Sequence, residues 1–400
     1  FKLRVSWGEL GNQNTSNLYP FYEILPVKSN SGNWLVNGGK TNTADIPSLV
    51  STLLTWERVR SFNVGFDFGA FSNRLTGSFD YFVRKTVDMV GPAPQLPLVL
   101  GIAPAIVNNA DMKSYGFEIE LSWRDRIGEV DYGVKFNLAD AQQKVVKYPN
   151  TTNAFSDWYA GKMSGEIWGY TSLGIAKTDE EMKEHLASLP NGGQNQLGNK
   201  WGAGDIMYAD INGDGKVDGG KGTLADPGDQ RIIGNSTPRY NFGLVLDASY
   251  KGFDVSIFFQ GVGKRDYAPI VGTNGAVFWG AVNNIWQSMA MEEHFDYFRP
   301  EGHPMGANLN GYYPRPDFTS NKNHQVQTRY LQDASYIRLK NLQIGYTLPK
   351  QWINKLHINR CRVYVSGDNL WTGTSLASMF DPETLAAGDW GSGKNYPLSK

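Results

Sequence analysis

The sequence predicts an all-β chain: the wall of a transmembrane antiparallel β-barrel, about ten strands here, with long extracellular loops. Three observations carry this. Apolar and polar residues alternate with period two over long stretches. These stretches run about 8 to 19 residues, whereas strands of globular proteins are mostly about 5–6 and about 9–11 tilted residues cross a bilayer. The connections between them are alternately short and long, the habit of outer-membrane barrels. Composition agrees. Of 400 residues 19 % are charged and 13 % aromatic, with 45 Gly, against about 25 % charged in an average soluble domain. A net charge of −1 gives no global electrostatic case for nucleic acid. Cys361 is the single cysteine, which excludes an intrachain disulfide framework and a cysteine-rich metal site. No apolar run approaches the ~18 residues of a membrane helix, and the opening FKLRVSW has no signal-peptide pattern. A helical membrane protein is excluded. A barrel is not, since its strands need apolar residues only at every second position.

The elements follow in order. Residues 2–9 form a first strand. In 53–71, Phe62, Val64, Phe66, Phe68 and Ala70 share one face, and Ser61, Asn63, Gly65, Asp67 and Gly69 the other. A turn at 72–74 leads into 75–90, where Leu75, Gly77, Phe79, Tyr81 and Val83 alternate with Thr76, Ser78 and Asp80. In 113–124, Tyr115, Phe117, Ile119, Leu121 and Trp123 oppose Gly116, Glu118, Glu120 and Ser122; after a turn at 125–129, strand 130–147 repeats the design with Lys135 on its polar face. Strands 239–250 (with Asp247 on the polar face) and 253–261 flank Lys251-Gly252, and 335–348 and 360–370 follow. With the sharp turns on the periplasmic side, connections 10–52, 91–112, 148–238, 262–334 and 371–395 all fall outside, and only 349–359 is a mid-length inner turn. A tenth strand starts near Tyr396. Nine or ten strands leave open edges that lipid cannot satisfy, so the chain reads as a piece of a larger barrel.

Several stretches resemble the SusC/RagA family of TonB-dependent outer-membrane transporters. RYLQDASYIRLKNLQIGYTLP (329–349) and VYVSGDNLW (363–371) are similar to that family's late strands, and YPLSK to the start of its last one. GDIMYADINGDGKVD, then GDQRIIG and STPRYNFGL, resemble an outer loop and the strand after it; FKLRVSWGELGNQ resembles a mid-barrel strand. The resemblance implies that 1–400 is the C-terminal part of a plugged barrel of ~22 strands, with the N-terminal plug and TonB-contacting segment outside this chain. It also implies a SusD-like lipoprotein partner in the outer membrane of a Gram-negative bacterium, and an oligosaccharide or, alternatively, a peptide as cargo.

Chemistry-bearing residues are few. Asp210, Asn212, Asp214, the Lys216 carbonyl and Asp218 stand at positions 1, 3, 5, 7 and 9 of a calcium-type loop with Gly215 at the sharp turn. Position 12 is Lys221 instead of Glu; by resemblance to the family's pattern, Asp229 is the closing ligand. Calcium is expected there as a structural clip. Loop aromatics Trp158, Tyr159, Trp201, Trp279, Trp286, Tyr312 and Tyr313 are candidate contacts for substrate or partner, and Asn191 to Asn199 reads as exposed loop. Leu96 to Ile106, apolar with two prolines, reads as a loop packed on a partner. The polar-face residues Asp67, Asp80, Glu118, Glu120, Lys135 and Asp247 are candidate plug or substrate contacts. His185, His294, His303, His324 and His357 are scattered and expected to be solvated. No nucleophile elbow, zinc-helix or phosphate-loop motif is present.

The function expected is therefore import, not catalysis. Two alternatives from other classes stay open at this point: a passive porin-like barrel or adhesin, and a secreted β-rich carbohydrate-active enzyme using carboxylates such as Glu118 and Glu120.

Overall fold

The computed structural model describes residues 1–13, 22–47, 49–51, 54–92, 99, 101–102, 104–269, 277–280, 291–317, 322–354 and 358–385. Nine long strands form one sheet: β1 (Lys2–Asn12), β2 (Glu57–Ala70), β3 (Leu75–Gly91), β4 (Val107–Ile127), β5 (Val130–Lys147), β6 (Arg239–Tyr250), β7 (Phe253–Lys264), β8 (Tyr336–Thr347) and β9 (Arg362–Thr374). Each pairs antiparallel with its neighbour in sequence, so spatial order equals chain order. Among the described residues, the outer edges of β1 and β9 pair with no strand. The expected tenth strand at Tyr396 lies outside the described residues.

Hairpin chemistry explains the tight ends. Lys251 and Gly252 both take positive φ, the two-residue turn whose twist suits paired strands. The expected 125–129 turn contracts to Gly128-Glu129, because the strands pair down to Ile127 with Val130 and Gly128 takes φ +61°. These ends and the 71–74 turn share one side of the sheet, and the long connections share the other.

The alternation predicted from sequence sets the register. Phe66 lies opposite Phe79, which lies opposite Ile119; on the other face Ser78 is opposite Glu120 and Asp80 opposite Glu118. Phe66 and Phe79 rings sit 5.7 Å apart, and Phe79 and Phe117 6.5 Å. β4 has 21 residues, which at ~3.3 Å each run ~70 Å. Even steeply tilted, that exceeds the ~30 Å hydrocarbon layer, so the strands continue past it on the loop side.

The buried core is not in the sheet. It lies in the connections, where Ile175, Ile206, Tyr208, Val217, Phe278, Trp279, Phe298, Tyr313, Tyr330 and Phe380 pack together. The described residues of connections 148–238 and 265–335 and of the segment after β9 thus form one assembly seated on the strand ends. Its frame includes Glu166–Gly169 paired with Arg231–Asn235, Ser172–Ile175 paired with Ile206–Tyr208, and helix α1 (Asp179–Ala187), whose first turn is capped by Thr178 Oγ1 accepting from Glu181 N at 3.1 Å. No described helix is long and apolar enough to cross a membrane, which says nothing of strands.

Candidate functional site

The polar face of the sheet carries a charged band toward the tight-turn ends of its strands. Arg4 of β1 forks across two strands to Asp67 at 2.8 Å and Asp80 at 2.7 Å. Gly65 makes this possible: a side chain there would occupy the space of the Asp80 carboxylate. Asp80 also faces Glu118 directly across the ladder, a like-charge pairing that raises the local negative potential. Glu118, Glu120 and Lys135 are exposed and Asp247 half-buried, its carboxylate lying over the bare Cα of Gly133. The six expected polar-face charges therefore do share one face, and Arg4 joins them as a residue the sequence reading missed.

Three further ion-pair clusters stand in the loop assembly, between it and the wall, and within the wall. Asp205 is fully buried; it accepts from Arg315 Nη2 at 2.6 Å, Lys322 Nζ at 2.9 Å and Asn323 Nδ2 at 2.9 Å. The Lys322 ammonium, 2 % exposed, also lies 5.2 Å from the Trp201 ring centroid. On β8, Arg338 is 2 % exposed and holds Asp381 at 2.7 Å and Glu383 at 2.5 Å, while Lys340 reaches Glu383 at 2.6 Å. That clasp returns the chain after β9 to the wall. At the rim, Arg239 forks onto the buried Asp140.

The 210–218 loop has the turn geometry its sequence encodes. Asp210 accepts from Gly213 N at 2.7 Å and Gly215 N at 2.8 Å, Asn212 from Asp214 N at 3.0 Å, and Asp214 from Lys216 N at 3.1 Å. Asp229 lies beside the loop, accepting from Ile211 N and Asp218 N, each at 2.8 Å. Burial raises the Asp229 carboxyl above the usual carboxylate range, although the three amides that donate to it pull the other way. The Lys216 ammonium, however, sits 2.5 Å from Asp218 and holds that carboxyl below its ordinary value. Among the described residues, no three Asp, Glu, His or Cys side chains gather in metal-holding geometry. The donor set suits calcium by type, but the side chains as arranged do not form a cage for it.

The loop aromatics divide. Trp279 and Tyr313, 1 % and 2 % exposed, are core residues, with rings 5.9 Å apart. Tyr159 is buried with its hydroxyl donating to Glu166 at 2.6 Å, and burial is the main cause of its phenol being pushed up to about 12. Trp201 and Tyr312 are half-buried against the same core, and Trp158 is exposed. Trp286 lies outside the described residues, as do His357 and parts of 96–106. Two expectations need correction. His294 and His324 are buried rather than solvated; His294 Nδ1 accepts from Met291 N at 3.0 Å. Gln194, expected in an exposed loop, is buried because its amide bridges Ile206 O and Tyr208 N at 2.8 and 3.1 Å.

A cavity of about 310 Å³ lies between the start of the Glu166–Gly169 strand and residues 325–326. It lies at the rim, where Ser164 N donates to Gln143 O of β5 at 2.9 Å.

Comparison with known proteins agrees with this architecture. The family model for the TonB-dependent receptor-like β-barrel matches residues 1–370. TonB-dependent receptor P3 of Formosa agariphila is 29 % identical, the match covering 96 % of this chain and 36 % of that protein. The TonB-dependent receptor SusC of Bacteroides thetaiotaomicron is 21 % identical, covering 97 % of this chain and 36 % of SusC. Among solved structures, the RagAB peptide importer in its open-open state superposes with a TM-score of 0.68 at 22 % identity, over 97 % of this chain and 38 % of that one; this likeness shows the fold. The chain thus spans a little over a third of the length of the relatives it matches. Nine consecutive antiparallel strands, one polar face and a family match over nearly the whole chain make it a member of the TonB-dependent receptor-like β-barrel family, outer-membrane proteins of Gram-negative bacteria.

Proposed function

We propose that the receptor containing this chain imports oligosaccharides across the outer membrane. In this reading a SusD-like surface lipoprotein delivers the cargo, and TonB supplies energy through a plug held in the barrel. The chain itself forms wall and outer loops and breaks no covalent bond. The observation that carries the reading is the polar face of a nine-stranded sheet, joined at its rim to a packed loop assembly. The name of the SusC relative supports the transporter type. The RagAB structures, described as a peptide transporter, keep peptides as the second reading. Deleting the gene and following uptake of labelled oligosaccharides and peptides tests both. Loss of oligosaccharide uptake, reproduced by uncoupling TonB, supports the first; loss of peptide uptake alone would replace it with the second.

For the 210–218 loop, calcium binding would require the Lys216 ammonium to leave Asp218. Melting in chelator and in millimolar calcium tests this: a rise of several degrees with calcium supports an ion clip, and equal melting rejects it.

A further inference from the structure

The apolar face of the wall ends, on its loop side, in a row of cations. Arg60 of β2 lies opposite Lys85 of β3, Lys85 opposite Lys113 of β4, and Lys113 opposite Lys144 of β5. Two residues nearer the tight turns, Phe62, Val83 and Tyr115 stand in register on the same face. The row therefore belongs to the lipid side of the wall, not to the lumen. Lys85 and Lys144 are exposed and Lys113 half-buried, its ammonium 5.1 Å from the Tyr115 ring centroid.

Like charges directly opposite on neighbouring strands repel, and a strand spacing of ~4.8 Å brings all four within ~15 Å. Arg60 is compensated by Glu9 of β1 at 2.6 Å. Among the described residues, the side chains of Lys85, Lys113 and Lys144 form no ion pair and no hydrogen bond. The carboxylates of the adjoining rim are engaged elsewhere: Asp88 accepts from Arg58, Asp111 from Asp88 N, and Glu57 from Asn12 Nδ2 and Val90 N. The connection 92–106, which joins β3 to β4, contains no charged residue. The chain thus gathers three ammoniums and supplies no counter-charge.

The depth of the row identifies what meets it. Ala70, Leu75 and Trp123 stand in register at the tight-turn end of the same face, and Arg60, Lys85 and Lys113 are each ten residues further along. Ten residues at ~3.3 Å run ~33 Å along a strand. At a tilt of ~40° that is ~25 Å of depth, the height of the apolar band of an outer-membrane barrel. The row stands at the outer edge of the hydrocarbon, where lysine stems lie against lipid and their ammoniums reach the headgroups.

We infer that Arg60, Lys85, Lys113 and Lys144 bind the phosphate groups of an outer-leaflet lipid headgroup. Ammonium and guanidinium groups form strong charge-assisted hydrogen bonds with phosphate, and one headgroup carrying two phosphates answers several members of the row at once. A zwitterionic headgroup would leave the repulsion uncompensated. The inference requires only that the apolar face meets lipid, and it is independent of the cargo.

The test uses the full-length receptor, stripped of lipid in a non-ionic detergent, and native mass spectrometry to count bound lipid. The probes are diphosphorylated lipid A and its dephosphorylated form. The diphosphorylated lipid is expected to be retained at least about tenfold better, with the advantage shrinking as salt rises. The triple variant Lys85→Gln, Lys113→Gln, Lys144→Gln is expected to lose that advantage. Arg84→Gln, next to Lys85 but on the opposite face, is expected to keep it. Melting of the triple variant in lipid-free detergent at or above that of the parent shows that it folds. Should it fail to fold, Lys113→Gln alone is expected to lower retention about fivefold. Equal retention of the two lipids overturns the inference, as does retention that the lysine variants leave unchanged. Complete displacement of the lipid by millimolar inorganic phosphate overturns the lipid assignment and makes the row a site for free anions.

Discussion

Phe79 and Phe278 are both large aromatic residues, and they stand in opposite kinds of structure. Phe79 projects from the turn-proximal part of β3, its ring beside those of Phe66 and Phe117 along the apolar face of a sheet one residue thick. Phe278 is fully buried and packs against Trp279, Tyr313 and Tyr330 of its own connection and against Phe380 of the segment after β9. The sheet exposes its apolar side and leaves it to lipid; Leu3, Val5 and Trp7 on the edge strand are 66 %, 63 % and 71 % exposed. The loop assembly instead buries its apolar groups in a protein core, clamped by ion pairs such as Asp205–Lys322. A barrel wall thus takes its stability from ladder pairing and the surrounding bilayer, whereas the loops must fold as a soluble domain would.

Substitutions can break or sharpen that contrast. The largest effect is expected for Asp205→Ala. It strands the Lys322 ammonium, 2 % exposed, without its buried partner, a change that costs about 3–5 kcal/mol when a buried pair is broken. Hydrogen exchange should show the loop assembly opening while sheet amides stay protected; equal loosening of both would mean the two regions are not separable. Trp279→Ala comes next. Its cavity is expected to cost about 3–5 kcal/mol, read as a lower melting temperature of the loops, while Phe79→Ala in the same receptor should cost much less because lipid fills the gap.

On the sheet, Ile119→Arg should destabilise folding into bilayers by about 2–4 kcal/mol if it lies near midplane. Ser122→Arg, on the polar face, should stay within about 0.5 kcal/mol. Equal costs in refolding titrations would undo the face assignment. Thr178→Ala removes the cap of α1 and should cost about 1 kcal/mol, confined to that helix.

The smallest effect is pH dependent. Burial lowers the His185 pKa below its ordinary 6.5, with its hydrogen bond to Gln194 opposing. The unfolded chain then binds the proton more readily, so the stability from the neutral ring is complete above pH ~6.5 and falls as pH drops toward the folded value. The protection factors of α1 amides, exchange rates divided into the intrinsic rate at each pH, should fall between pH 7.5 and 5.5, and His185→Gln should flatten that change.

These two regions also differ in how far the sequence discloses them. Strand faces were legible because period two is written locally: Phe117, Ile119 and Leu121 state their side within five residues. Strand ends were less so, since β4 begins at Val107, where Asn108 and Asn109 break the alternation. The loop core was not legible. Trp279 and Tyr313 read as candidate substrate or partner contacts because nothing local distinguishes a ring that stacks on substrate from one that packs on another loop. Asp205, Arg315 and Lys322 meet across more than 100 residues, and the rim cavity gathers residues from 155 to 326. In the 210–218 loop the turn was readable from its Asp, Asn and Gly spacing. The folding back of Lys216 onto Asp218 was not, because position 7 of such a loop is defined by its carbonyl and leaves the side chain free.

The central claim is that this chain is a barrel wall with lipid on one face and a polar lumen on the other. It is tested most directly by spin labels placed one at a time at Phe117, Glu118, Ile119, Glu120 and Leu121 of the receptor in outer-membrane vesicles, with Cys361→Ser as background. Collision with dissolved oxygen reports lipid, and collision with a water-soluble nickel chelate reports water. The account predicts strict alternation: high oxygen and low nickel accessibility at 117, 119 and 121, and low oxygen accessibility at 118 and 120. Labels that all meet the nickel chelate equally would contradict it.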